Sequence, residues 1–472
     1  MDPDPTTARD GALRERELIV SGRLDRAIVH LGAPAALAAL LQAGFLVVDT
    51  FWLGRVGAVA IAAASTGGFV MWLAQTLGEG TANGAGAVLA RAVGAGDAAG
   101  ARRAAGAGLT LVVWASLAIL ALGLPLRHEV FRFMGTAPEV SAAGAQYLGI
   151  ILLGMPAFFA FAWIAAAFRA TGDARTPLRL LGVAALTNLV ADPILIFGLG
   201  PLPALGVRGA ALATVGAWLA GAVAGWHLLA ERGLRPPILA FLKPPRETAA
   251  ALRIGLPLAA EGAVFSLIYV LLTRITTTFG TAPVAALGVG HKLEVLNYFV
   301  CAGMGSAAIT LVGQSLGAGD HQRAMRAAWR TLFLTCLPVG ALTTLLVAVP
   351  HRAVAVFISD PAVVAAGSTY VIIVGLSQIF MAAEVVLIGA FAGAHRTTGP
   401  AMITVALTAA RIPLATALAG LGWGVEAVWT AIAVSTVLKG MVLAILWARW
   451  SRRSSPPAVP ESTGQTLGAP LT

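Results

Sequence analysis

The sequence predicts an all-α, polytopic membrane protein of twelve transmembrane helices, arranged as two six-helix pseudo-symmetric lobes around a central cavity. Three observations predict it. Only 11% of the 472 residues are charged and 58% are hydrophobic, whereas a soluble domain carries roughly 25% charged residues. The apolar residues fall into twelve runs, each near the roughly 20 residues needed to cross about 30 Å of hydrocarbon. The second half of the chain also repeats the first at a constant offset. The net charge of +10 does not mark a nucleic-acid-binding protein, because the basic residues recur in short polar gaps between apolar runs.

Residues 1–26 are polar, lack the apolar stretch of a signal peptide, and are expected as a cytoplasmic N-terminal tail. Six spans follow at about 27–52, 57–79, 104–124, 145–168, 179–199 and 206–230, making an N-lobe over 27–230. Residues 231–251 hold four prolines and several charges and read as a cytoplasmic linker. The C-lobe, 252–449, contains spans at about 252–275, 283–312, 330–349, 368–391, 401–420 and 425–447. The tail 450–472 is rich in Ser, Pro and Gly and is expected to be disordered.

Cytoplasmic loops are enriched in Lys and Arg. Arginines crowd before the first span, after the second, fourth and eighth, in the linker and after the last; the opposite loops hold few. Both termini are therefore expected in the cytoplasm.

Gly94-Ala95-Gly96-Asp97 recurs as Gly317-Ala318-Gly319-Asp320, a shift of 223. The same shift carries Gly32 and Pro34 onto Gly255 and Pro257, and Pro138, Tyr147, Phe168 and Pro177 onto Pro361, Tyr370, Phe391 and Pro400. Six spans per repeat is an even number, so the two copies share one orientation. Parallel repeats of this kind build transporters with the substrate path between the halves.

Charged side chains inside a bilayer are expensive and mark functional sites. In the first repeat Asp49 lies near the outer end of the first span. Asn188 and Asp192 lie about 14 to 20 Å up the fifth, and Thr214 roughly 12 Å below the outer start of the sixth. No Lys or Arg falls in the interior of these spans. Two carboxylates without a base must bind a cation, share protons or be neutral. Asp, Asn and Thr oxygens also suit a hard cation such as Na⁺. The alternative is a hydrogen-bonded polar cluster that only fixes helix packing.

In the second repeat Glu261 and Glu384 lie roughly 12 to 14 Å in from the cytoplasmic side, with Arg411 and Lys439 at similar depth. Two acids and two bases at one level form either a buried ion-pair network or a second proton or substrate site. Glu294, with His291 and Lys292, makes a further polar cluster, and Glu79 lies at a cytoplasmic end of its span. Pro34 and Pro257 sit at matching places in the first span of each half, as hinges or as fixed kinks. Cys301 and Cys336 lie in apolar runs as free thiols. Gly313-Gln314-Ser315-Leu316-Gly317 fits a hydrolase nucleophile elbow, but it ends an apolar helix and lacks the strand-to-helix turn. No catalytic residue and no enzyme activity is expected.

Several segments together carry a family resemblance. They are Val48-Asp49-Thr50, Asn188 through Asp192-Pro193, Gly209 through Thr214, Val312 through Gly319, Arg411-Ile412-Pro413-Leu414 and Gly424 through Trp429. The chain resembles the multidrug and toxic compound extrusion (MATE) transporters, most of all the prokaryotic DinF-like branch, over about residues 28 to 448. The resemblance implies export of cationic or amphipathic compounds by alternating access, in exchange for H⁺ or Na⁺ and without a cofactor. It places the cation site on Asp49, Asn188, Asp192 and Thr214, with Gln42 as a further polar position. Other branches place essential acids at the positions of Glu261 and Glu384. A multi-pass protein of the bacterial inner membrane is implied, expected as a monomer with lipid and small-molecule partners and no nucleic acid. The alternative reading is a flippase of lipid-linked oligosaccharides. Such a protein should line its cavity with Arg or Lys, against which the uncompensated acids argue.

Overall fold

The computed structural model describes residues 5–198 and 203–454, and every regular element among them is helical. A first helix, α1 (Pro5–Val20), precedes six long ones: α2 (Leu24–Val56), α3 (Ala58–Gly94), α4 (Ala98–Phe133), α5 (Pro138–Thr171), α6 (Arg175–Phe197) and α7 (Val207–Glu231). A 3-10 turn at Ile238–Leu242 leads into α8 (Glu247–Thr277), α9 (Thr281–Gly317), α10 (His321–Ala348) and the short α11 (Pro350–Ala355). The chain then forms α12 (Pro361–Gly375), α13 (Gln378–Gly393), α14 (Thr398–Ala409), α15 (Arg411–Gly420) and α16 (Glu426–Ser454). Eleven segments are long and apolar enough to cross a membrane, and α12 with α13, bent by 53°, completes twelve spans. The chain is a multi-pass membrane protein of two six-helix lobes.

Three features differ from the sequence reading. Residues 5–20, expected only as a polar tail, form a helix. The tenth span breaks between Gly375 and Gln378, and the eleventh breaks at Ala410 just before Arg411. α3 continues to Gly94, so Glu79 lies in mid-helix, roughly 22 Å from that end. The stretch after Glu79 is Gly- and Ala-rich and mostly buried, so it faces protein rather than lipid and shows little hydropathy. α16 runs through Ser454; the tail expected to be disordered otherwise lies outside the described residues.

The repeat extends to the helix ends. Asp97 Oδ1 accepts the Gly100 amide at 2.7 Å, capping α4, and Asp320 Oδ1 accepts the Arg323 amide at 2.7 Å, capping α10. Each cap satisfies an amide that has no partner within its helix. Gly96 and Gly319, just before, take φ of 72° and 82°, a region that favours glycine. Pro138 and Pro361 each open a helix, where a missing amide is harmless.

The two lobes meet through small residues. Gly80 and Gly84 of α3 lie against Gly255 and Ala259 of α8; Gly303 and Ala307 of α9 lie against Ala36 and Gly32 of α2. The shift of 223 converts one set into the other. At the helix ends, a Cβ on Gly94 would strike the Gln314 carbonyl, and one on Gly317 would strike the Arg91 carbonyl, again equivalent positions. α3 and α9 thus cross backbone to backbone about a pseudo-two-fold axis. Close approach of this kind needs residues without side chains.

These contacts gather in the half of the bundle whose ends carry the arginine-rich loops. There Gln314 Nε2 donates to the Ala170 carbonyl at 2.7 Å and Thr310 Oγ1 to the Arg169 carbonyl at 3.0 Å, while His395 Nε2 meets the Ala87 carbonyl at 3.2 Å. Toward the other face the lobes last meet where Trp72 and Phe265 stack edge-on, with centroids 6.1 Å apart. Beyond that pair no ring contact, ion pair or side-chain hydrogen bond joins the lobes among the described residues. Trp72 and Tyr298, in mid-helix, are 40% and 47% exposed. The lobes are closed at the arginine-rich face and parted at the opposite one.

Gly94→Ala is expected to destabilise the protein by about 1–3 kcal/mol, because its methyl overpacks a backbone contact. Gly288→Ala, which faces open space, gains helix propensity and should not. Thermal unfolding in detergent of the two variants checks the difference.

Candidate functional site

Asp49 of α2, Asn188 and Asp192 of α6 and Thr214 of α7 come together inside the N-lobe, at 9%, 1%, 0% and 2% exposure. One helical turn separates Asn188 from Asp192, so both face inward, and Asn188 Nδ2 lies 3.4 Å from Asp192 Oδ1. Thr214 Oγ1 lies 3.2 Å from Asp49 Oδ2 and 3.0 Å from its own helix carbonyl at Ala210. A hydroxyl has one proton, so Thr214 donates to one of these at a time. The Asn188 amide also reaches Asp49, and the two aspartates face each other. Tyr147 of α5, 5% exposed, lies within electrostatic reach of both.

Two buried oxygens, Asp49 Oδ1 and Asp192 Oδ2, have no hydrogen-bond partner. No lysine or arginine pairs with either aspartate among the described residues. At an effective dielectric near 20, two unit charges about 4 Å apart repel by about 4 kcal/mol, before desolvation is counted. A proton held between the carboxyls, or a small hard cation taking both orphaned oxygens, removes that repulsion. The donor set is all oxygen, which suits either. Gln42 stands apart: it is exposed, seven residues before Asp49 on α2, and makes no hydrogen bond to this cluster.

The C-lobe acids are arranged differently. Lys439 Nζ donates to Glu384 Oε1 at 2.6 Å in a buried ion pair. Glu261 lies within electrostatic reach of both and its carboxyl meets the Thr404 hydroxyl. Arg411 does not pair with these acids. Its Nε donates to Ser435 Oγ at 2.6 Å and an Nη to Thr436 Oγ1 at 3.1 Å, with the guanidinium over the Phe265 ring at 5.7 Å. Subtracting 223 places Arg411 at Asn188, so a fixed cation occupies the position equivalent to part of the N-lobe cluster.

Glu294 sits in a third group. Tyr370 OH donates to it at 2.8 Å, Gln378 Nε2 at 3.5 Å, and His291 Nδ1 lies 3.8 Å away. Tyr370 is the equivalent of Tyr147, so each lobe turns the same tyrosine toward an acid. The sequence marked these tyrosines as matched positions without giving them a role. Glu79 and Tyr298 are exposed between the lobes, and Tyr298 lies within electrostatic reach of Glu79, Glu261 and Glu384. These side chains lie on the parted space. Pro34 and Pro257 lie inside the unbroken helices α2 and α8, beside the inter-lobe contacts of Ala35 and Gly255.

Removing one member of a buried ion pair leaves an uncompensated charge and costs about 3–5 kcal/mol. Lys439→Ala is therefore expected to destabilise strongly, whereas Lys439→Met with Glu384→Gln should recover most of the loss. Unfolding midpoints of the three proteins in detergent check this.

Comparisons with known proteins bear on the fold and the family. The MatE family profile matches residues 34–194 and again residues 257–417; each boundary of the second match is offset by 223 from the first. The chain is 28% identical over 442 residues to the probable multidrug resistance protein NorM of Thermotoga maritima, covering 90% of this chain and 93% of the relative. It is 26% identical over 432 residues to a FAD transporter of Shewanella oneidensis, covering 91% and 95%. A solved structure of a MATE protein in complex with MaD3S superposes with a TM-score of 0.86 at 21% identity, covering 93% of this chain and 98% of that one.

Proposed function

The chain belongs to the MatE family of membrane transporters, and from that premise we propose that it is a secondary active exporter of cationic or amphipathic compounds, driven by exchange for H⁺ or Na⁺. The observation that carries the reading is the pair of facing aspartates in the N-lobe, buried without a base and each with an orphaned oxygen. A site of this kind changes charge when a cation enters. The arginine-rich face is then cytoplasmic, by the bias of basic residues in loops, and the parted face is external. Both termini lie in the cytoplasm of a cell whose inner membrane holds the protein.

In this reading a cation arrives from outside, neutralises Asp49 and Asp192, and favours closure of the outer half. Substrate then loads from the cytoplasm into the space between the lobes, beside Glu79, Tyr298 and Trp72. One proton exchanged for one monovalent cation moves no net charge, so a pH difference of one unit, about 1.4 kcal/mol, supports about tenfold accumulation; a membrane potential of 100 mV adds about 2.3 kcal/mol for each net charge moved beyond that. The homologue named as a multidrug resistance protein supports efflux of small molecules.

The test is movement of a fluorescent organic cation in reconstituted vesicles under an imposed pH gradient, with sodium absent and potential clamped. Uphill movement is expected, and Asp49→Asn is expected to abolish it while leaving the protein folded in the membrane. Coupled transport retained by Asp49→Asn removes the site assignment. Absence of movement under both pH and sodium gradients removes the drug-export reading in favour of a lipid or anionic substrate.

A further inference from the structure

α1 has no matching helix in the repeat. A shift of 223 carries residues 5–20 onto 228–243, where α7 ends and the 3-10 turn runs. This extra helix lies across the seam between the lobes at the arginine-rich face, and it holds both of them.

Its grip on the N-lobe has two parts. Arg16 reaches the open end of α3, its Nε donating to the Val93 carbonyl at 2.8 Å and an Nη to the Gly94 carbonyl at 2.7 Å. The Gly94 carbonyl is one that the helix end leaves without a backbone donor, while the Val93 carbonyl also accepts the Gly96 amide at 3.0 Å. Glu15 pairs with Arg232 beyond α7 at 2.6 Å, and Arg232 pairs with Asp173 between α5 and α6 at 2.9 Å. Its grip on the C-lobe comes from α10. Arg323 donates to the Ile19 carbonyl at 2.7 Å, to Gly22 at 2.7 Å and to Leu18 at 3.4 Å, closing the C-terminal end of α1 with a cation where the helix dipole favours one. Ile19 itself is fully buried in a core that includes Leu316, Met325 and Ala328 of the C-lobe.

We propose that α1 is a strap that holds the arginine-rich face shut, and that the Arg323 grip is the one that lets go when that face opens. The proposal rests on the alternating-access reading above. The choice of grip follows from connectivity. α1 runs through only Ser21, Gly22 and Arg23 into α2, an N-lobe helix, and is tied to that lobe by Arg16 and by the Glu15–Arg232–Asp173 chain. On the other side, Arg323 is the one polar grip, beside the apolar packing of Ile19 and Leu18. When the lobes part, the strap stays with the N-lobe. Its single copy also makes the two halves of the seam unequal.

Two experiments in a Cys301→Ala, Cys336→Ala background test it. The first joins cysteines with a reducible bifunctional reagent, Leu18→Cys with Arg323→Cys in one protein and Glu15→Cys with Arg232→Cys in another. The first link is expected to abolish dye transport until reductant is added; the second is expected to leave it intact. Transport that continues with Leu18 linked to Arg323 overturns the proposal. The second reads the spacing of spin labels at Arg102→Cys and Arg326→Cys, which needs no substrate. Arg323→Ala is expected to raise the population with the labels far apart, and an unchanged distance distribution overturns the strap. Labels that part in the otherwise unmodified chain while no dye moves remove drug export but leave the strap standing. Labels that never part under any imposed gradient remove alternating access and the strap with it.

Discussion

The crossing of α3 over α9 is the constraint on which the molecule depends. Gly94 lies against the Gln314 carbonyl and Gly317 against the Arg91 carbonyl, so the two backbones touch at a point set by the symmetry of the repeat. Two rigid bundles that touch near one end are free to diverge toward the other, and that is the observed shape. The flanking contacts, Gly80 and Gly84 with Gly255 and Ala259, and their equivalents on α9 and α2, are also between small residues. In lipid there is little hydrophobic gain from bringing helices together. The seam is held by close packing, a few hydrogen bonds to carbonyls and the ion pairs Arg103–Glu247 and Arg330–Asp25 at its edge. Such an interface holds a shape without requiring a large apolar area to be exposed when it separates.

The repeat that made the shape symmetric did not make the charge symmetric. The N-lobe keeps Asp49 and Asp192 without a base. The C-lobe answers Glu384 with Lys439, and places Arg411 where the N-lobe has Asn188. A carboxylate beside a fixed cation has its counter-charge already. A pair of carboxylates without one needs a charge from solution, or a proton. The physical distinction between the lobes is therefore whether the neutralising charge is tethered or exchangeable: Asp49 and Asp192 each keep an orphaned oxygen, whereas Glu261, Glu294 and Glu384 do not.

Much of this was legible because composition and repetition are properties of a chain, not of its packing. Twelve spans, the halves, and the meeting of Asp49 with Asn188, Asp192 and Thr214 all follow from apolar run length, a constant offset and depth along a helix. The misses share a cause. Glu79 was placed at a span end because the Gly- and Ala-rich continuation of α3 lacks the apolar signal of a lipid-facing helix. The break in the tenth span carries no proline, so no local signal announced it; in the eleventh, Pro413 has no amide to give the Ala409 carbonyl, where α14 ends. The partners of Arg411 were misjudged because depth gives height along a helix and not the direction around it. Gln42 stood in the resemblance as part of the cluster, but its side chain is exposed. α1 is amphipathic only in its partners: its polar side chains reach helix ends distant in sequence, which periodicity does not encode.

One helix connects the acids to the seam. α2 is unbroken from Leu24 to Val56. Its outer half carries Asp49 into the N-lobe cluster, while its inner half packs on the other lobe, with Gly32 against Met304, Ala36 against Gly303, and Ile28 and Leu31 in the C-lobe core. Pro34 lies among these inter-lobe contacts, between Gly32 and Ala36, and removes one of the hydrogen bonds that would stiffen the helix there. Under the proposed reading, neutralising Asp49 changes what holds the outer half of α2 in the N-lobe, and the change is delivered through Pro34 to the residues that close the opposite face. The strap precedes α2 by three residues and bears on the same seam. A cation site in one lobe thus needs no long chain of side chains to influence the gate between lobes. It needs one continuous helix with an acid near one end and the inter-lobe contact near the other.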